Sequence, residues 1–91
     1  VQDFIAELRP KYLELLATHL RDLHALIPPL SPDQAGRLRL TAHTLAGSGG
    51  TYGYLQLSEL ALAVEEAPES ELWSRSRTLV AEIERAIAAG A

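Results

Sequence analysis

The segment Leu38-Arg39-Leu40-Thr41-Ala42-His43-Thr44-Leu45-Ala46-Gly47-Ser48-Gly49-Gly50-Thr51-Tyr52-Gly53 joins a regular helical spacing to an unusual supply of glycine. Wound at roughly 100° per residue, Ala35, Leu38, Ala42, Leu45, Gly49 and Tyr52 fall within about 60° of one line, the inward stripe of an amphipathic helix. His43 lies about 140° from that line. Its outer-face neighbours are Gly36, Leu40, Gly47 and Gly50, so an imidazole points away from the core with almost no side chain one turn after it. Each glycine inside a helix is worth about 1 kcal/mol less than alanine, so Gly47, Gly49 and Gly50 together give up roughly 3 kcal/mol. One glycine, Gly53 at the C′ position, is enough to end the helix. The other three therefore read as clearance: something bulky approaches the imidazole edge-on, and side chains at 47 and 50 would block it.

Outward from this segment, Ser31-Pro32-Asp33-Gln34 is a helix start. Ser31 caps, Pro32 suits the first helical position, and Gln34 completes a capping box. The helix so begun is expected to run to about Tyr52. Before it, a first helix is expected from about Gln2 to Ile27, with Leu13, Leu16, Leu20, Leu23 and Ile27 as its seam. Phe4, Ile5 and Leu8 form a separate apolar patch ahead of Pro10, where a kink or a short extra N-terminal helix is expected. Pro28-Pro29 ends that element. After Gly53 a third helix carries Leu57, Leu60, Ala61 and Val64 on one face and stops at Pro68-Glu69-Ser70. A fourth, from near Ser70 to before Gly90, turns Leu72, Ser76, Leu79, Ile83, Ala86 and Ile87 inward, with Trp73 and Val80 on one edge. Short connections between helices of these lengths imply antiparallel neighbours. The expected fold is all-α, an antiparallel up-down four-helix bundle in one domain spanning 1–91.

Composition agrees with that class. The 91 residues contain no cysteine, which excludes a disulfide framework and a thiolate metal site. Hydrophobic content is 47%, rich in alanine and leucine, and favours helix. A net charge of −4 with no basic run argues against nucleic-acid binding. No apolar stretch reaches the roughly 20 residues of a membrane span, and no signal-peptide pattern is present, so a cytoplasmic setting is expected. The chain begins at Val1 and has no methionine, which reads as a piece cut from a longer protein.

Of the three histidines, His43 alone combines exposure with a cleared face. His19 flanks the seam of the first helix as a partly buried structural residue, and His24 sits on its outer side. Their spacing of five does not bring two imidazoles together, so no metal site is expected. The run from Gly47 to Gly53 lacks the preceding strand and following lysine of a phosphate-cradling loop. Ser48 lies more than about 100° round the helix from His43, so the two form no nucleophilic couple. Glu65 and Glu66 are adjacent on a helix and face different ways; with Glu69 and Glu71 they read as a solvated acidic corner, with partner docking as the alternative. Leu40 and Tyr54 are apolar positions off the core line near His43, and they mark an expected docking surface.

His43, Leu45, Gly47, Ser48 and Gly53 together resemble the signature of histidine phosphotransfer (HPt) domains, roughly H-x-L-K-G-S-x-x-x-x-G. The later spacing Leu57…Leu60…Glu65 is similar too, and so are segments in the phosphotransfer domains of chemotaxis-type histidine kinases. The family usually has lysine, thought to balance phosphoryl charge, where this chain has Ala46. Arg39 lies one turn before His43, about 40° round the same face, where a guanidinium could reach a phosphoryl oxygen and take over that role.

The resemblance implies a phosphocarrier rather than an enzyme. His43 would take a phosphoryl group on its distal ring nitrogen from an aspartate of a receiver domain, or from a histidine kinase, and pass it on. It implies no cofactor of the domain's own and Mg²⁺ on the partner receiver; a monomer is expected, docking through the outer-face positions Gly36, Leu40, Ala46, Gly47 and Gly50 with Tyr54. Two other classes fit the residues: an HPt-like adaptor that binds a receiver or kinase without being phosphorylated, and an unrelated helical interaction module.

Overall fold

Ser31 opens the site-bearing helix as its neighbours dictate. Its hydroxyl accepts from the Gln34 backbone N–H at 3.1 Å, and the Gln34 side chain accepts from the Ser31 N–H at 2.9 Å. This reciprocal box satisfies two donors that a helix start would leave bare. The computed structural model describes residues 2–90, and these form four helices: α1 (Gln2–His24), α2 (Pro32–Thr51), α3 (Leu55–Glu65) and α4 (Glu69–Gly90). None of them is long and apolar enough to cross a membrane.

The C-terminus of α2 needs a left-handed residue, and Gly53 supplies it at φ +87°. The Tyr54 N–H bonds to the Gly49 carbonyl at 2.7 Å and the Gly53 N–H to the Gly50 carbonyl at 3.2 Å, the paired bonds of a Schellman stop. Arg9 of α1 adds Nε to the Tyr52 carbonyl at 3.1 Å. The chain then reverses into α3. Gly49 lies against Leu57 and His43 against Glu65, so numbers fall along α2 as they rise along α3, and the two helices are antiparallel. α3 packs on α4, and α4 on α1, which closes the up-down bundle around Leu16, Leu38, Leu45, Leu57, Val64, Leu79 and Ile83.

Three details depart from the sequence reading. α1 ends at His24, three residues early, and Ile27 is 76% exposed instead of completing the seam. A residue before proline is pushed to extended backbone, so Pro28 withdraws Ile27 from the helix and Leu26 packs inward in its place. Secondly, Pro10 lies inside one continuous helix, so the extra N-terminal helix allowed there is instead the opening turns of α1. Both Pro10 and Ala6, whose carbonyl loses its donor, are exposed, so solvent can satisfy that carbonyl.

Thirdly, the residue that ties α1 to α2 is Tyr12, which the leucine seam concealed. Only 3% exposed, its ring stacks on Tyr52 at 4.4 Å and on Tyr54 at 5.7 Å, and its hydroxyl shares a 2.8 Å hydrogen bond with Ser48. Burial raises the Tyr12 phenol pKa above its ordinary value, against the opposing pull of the Ser48 bond. On α4, Leu72, Ser76, Leu79, Ile83 and Ala86 are buried as read from the sequence and Ile87 is partly buried, while Val80, expected on the edge, is buried as well and Glu82 is an addition. Its carboxylate is buried and takes both Nε and Nη2 of Arg85, so the charge is not left alone.

Candidate functional site

The buried residues of α2 are Leu38, Ala42, Leu45 and Gly49, and the His43 side chain stands away from them, 68% exposed. α3 ends beside it. Glu65, the last residue of α3, places Oε2 2.6 Å from His43 Nδ1. An ionised carboxylate can only accept, so the neutral ring must carry its proton on Nδ1. The lone pair of the neutral ring is thereby left on Nε2, which has no hydrogen-bond partner among the described residues.

The backbone of Glu65 is held as firmly as its side chain. Nη1 of Arg39, one turn before His43 on α2, donates to the Glu65 carbonyl at 2.9 Å. Arg75 of α4 donates to the Ala63 carbonyl at 2.9 Å. Cationic groups from α2 and α4 therefore face the negative end of the α3 dipole, whose own last turn holds no basic residue.

The site thus joins the exposed His43 imidazole, bonded through Nδ1, to a carboxylate from the next helix. The profile of the Hpt domain family matches residues 2–89, nearly the whole chain. This chain belongs to the Hpt domain family. Domains of this family are phosphocarrier modules of histidine phosphotransfer relays. No curated protein and no solved structure gives a significant match.

The other site residues expected from the sequence separate into two groups. Gly36 and Gly47 open onto empty space: a Cβ added at either meets nothing within 4 Å. Leu40, 65% exposed, flanks His43 on the N-terminal side. These three leave the imidazole unobstructed along α2. Arg39 is also on this side, with Nη1 committed to the end of α3.

The second group faces elsewhere. Gly50 looks toward α3, where an added Cβ would meet Ser58 Oγ at 3.7 Å. Ala46 is partly buried against the core, and its carbonyl accepts the Ser58 hydroxyl. Tyr54 is half-buried in the stack on Tyr12. From His43 to Thr51 is eight residues of helix, about 12 Å, so Tyr54 belongs to the far end of α2. All three were expected on the docking face. α3 returns along the flank of α2 that carries Ala46 and Gly50, while Tyr54, at the start of α3, packs on Tyr12 of α1.

Glu65, part of the family-like spacing but read chemically as one of a solvated acidic corner, is the partner of His43. Its side chain is 32% exposed and paired, whereas Glu66, Glu69 and Glu71 are exposed. Helix counting could have found it. A three-residue turn sets Leu55 level with Thr51, so a residue eight back on α2 lies level with one about eight on in α3, within a turn of Glu65.

Proposed function

We propose that this domain is a phosphocarrier that accepts a phosphoryl group on Nε2 of His43 from the phospho-aspartate of a receiver domain and returns it to an aspartate of another. The observation that carries this reading is the 2.6 Å bond from His43 Nδ1 to Glu65 on an otherwise exposed ring. In the forward step the Nε2 lone pair forms the N–P bond as the P–O bond to the aspartate breaks, and that carboxylate leaves with the electron pair. The ring gains positive charge as it attacks. Glu65 is placed to offset that charge through the Nδ1–H, which stays on the ring throughout. Negative charge on the phosphoryl oxygens is met by the partner, whose acidic pocket and Mg²⁺ belong to the receiver.

Docking in this reading uses the face that α3 leaves uncovered: Gly36, Leu40 and Gly47, with the groove of about 500 Å³ between α1 and α2 lined by Leu23, Leu26, Leu38 and Leu40. Ala46, standing where the family usually has lysine, favours a second reading in which the same face binds a receiver without taking phosphate. Incubation with a receiver domain carrying radiolabelled phosphoryl separates the two. Acid-labile label on the chain supports the carrier, and a stable complex without label supports the adaptor.

Gly47 tests the docking face independently of chemistry. Because a Cβ there meets nothing, Gly47→Ala should stabilise the fold by about 0.5–1 kcal/mol in denaturant titrations. Gly47→Leu should fold equally well yet bind the receiver at least about tenfold more weakly, equivalent to about 1.4 kcal/mol. Unchanged receiver affinity for the leucine variant, read by calorimetry, would remove Gly47 from the interface.

A further inference from the structure

The last carbonyls of a helix have no partners within it, and how α3 satisfies them bears on His43. The backbone N–H of Glu66 serves the carbonyls of Leu62 and Val64, and Ala67 N–H also reaches Val64. Arg75 serves Ala63 and Arg39 serves Glu65. The C-cap Glu66 has φ −91°, so no left-handed glycine fixes this end as Gly53 fixes α2. Of these contacts, the one on the final residue's own carbonyl comes from Arg39.

Arg39 and His43 sit one turn apart on the same rigid helix. Arg39 holds the Glu65 main chain at 2.9 Å, and His43 Nδ1 holds the Glu65 side chain at 2.6 Å. The contacts close a bracket: α2, guanidinium, Glu65 backbone, Glu65 carboxylate, imidazole, and back to α2. Arg39 is partly buried, and its Nη1 is engaged before any phosphoryl group arrives. A free glutamate at a fraying helix end samples many rotamers, and an imidazole without a fixed acceptor in water prefers its proton on Nε2, the wrong nitrogen for attack.

We infer that Arg39 is a positioning residue which, by pinning the Glu65 carbonyl, keeps the Glu65 carboxylate on Nδ1 and so keeps the His43 lone pair on Nε2. This inference rests on the phosphocarrier reading for its consequence but not for its test. The guanidinium acts through Glu65 and does not need to touch the phosphoryl group.

The test is ¹⁵N NMR of the His43 ring in the unphosphorylated chain, at a pH where the ring is neutral, beside transfer rates from a phosphorylated receiver. In wild type Nδ1 should carry the proton. Arg39→Ala should shift the population toward the Nε2–H form and slow transfer about tenfold, in the range typical of lost orienting contacts. Arg39→Lys, which keeps a cationic donor, should restore most of both. Arg39→Met keeps the aliphatic stem and gives the same reading if the alanine variant unfolds. Arg75→Ala loosens the same helix end without touching Glu65 and should leave the tautomer as in wild type.

An unchanged tautomer in the Arg39 variants overturns the inference, even if transfer slows, because the guanidinium would then act elsewhere, such as on the phosphoryl oxygens. An equal shift in Arg75→Ala overturns it too, since the effect would belong to a loosened helix end. If the wild-type chain takes up no phosphoryl group, the carrier reading fails while the tautomer measurement still judges the bracket.

Discussion

Replacing His43 by glutamine is expected to abolish acid-labile phosphoryl uptake from a phosphorylated receiver, with no label above background at any incubation time. Glutamine is close to histidine in size and can still donate to Glu65, but its amide nitrogen has no lone pair available to attack phosphorus. The fold should survive. The side chain is 68% exposed, and the contact it makes is a partly solvated pair worth about 1 kcal/mol or less. His19→Gln and His24→Gln serve as controls. His19 is half-buried on α1, and exposed His24 faces Glu84 of α4 through Nε2 at 3.4 Å, the nitrogen that His43 leaves free among the described residues, so neither shares the geometry of His43. Both variants should take label at the wild-type rate. Label persisting on His43→Gln would move the acceptor to another residue.

Gly49→Val should produce the largest loss of stability of any single glycine change in α2, about 3 kcal/mol in denaturant titrations. Helix propensity alone predicts the opposite sign, because valine is the better helix former. Packing decides it. A Cβ at 49 would stand 3.0 Å from Leu57 Cδ2, 3.3 Å from the Ser58 backbone nitrogen and 3.3 Å from the Tyr54 carbonyl oxygen. The leucine terminus can give way, but the two backbone atoms belong to the start of α3 and cannot move without shifting the helix. Because domains of this size are stable by only about 5–15 kcal/mol, a loss of that order is readily measured. A gain in stability would mean that α2 and α3 do not meet as closely as described.

These two substitutions show what the sequence could and could not convey. The helical spacing of Leu38, Ala42, Leu45 and Gly49 was legible because the buried stripe of an amphipathic helix repeats locally. The capping box at Ser31 and Gln34 and the stop at Gly53 were legible because caps act within a few residues. The glycines were harder. Gly47, Gly49 and Gly50 look alike in a chain and were read together as clearance, yet they serve different ends. Gly47 borders open space, Gly49 admits the backbone of α3, and Gly50 faces Ser58. Which side α3 returns along is a tertiary fact, and a helical wheel drawn for α2 alone cannot contain it.

The same gap hid half of the site. His43 could be singled out from its position on one helix. Its partner Glu65 lies 22 residues away, and the pairing follows from the register between two helices and not from either helix alone. Arg39 was noticed for the correct face, but its bond to the Glu65 carbonyl depends on where α3 ends. Tyr12, the clasp between α1 and the end of α2, was invisible beside a regular leucine pattern. Ile27 fitted that pattern and was taken out of it by a proline that acts one residue upstream.

The central claim is that Glu65 holds the His43 proton on Nδ1 and leaves Nε2 as the nucleophile. It is tested most directly by locating the phosphoryl group on the ring. The ¹⁵N-labelled domain would be charged by a phosphorylated receiver, and its phosphorus–nitrogen couplings recorded at alkaline pH, where phosphohistidine survives. The account predicts a single phosphorylated species with phosphorus bonded to Nε2 of His43. Phosphorus on Nδ1, or on any other residue, would contradict it.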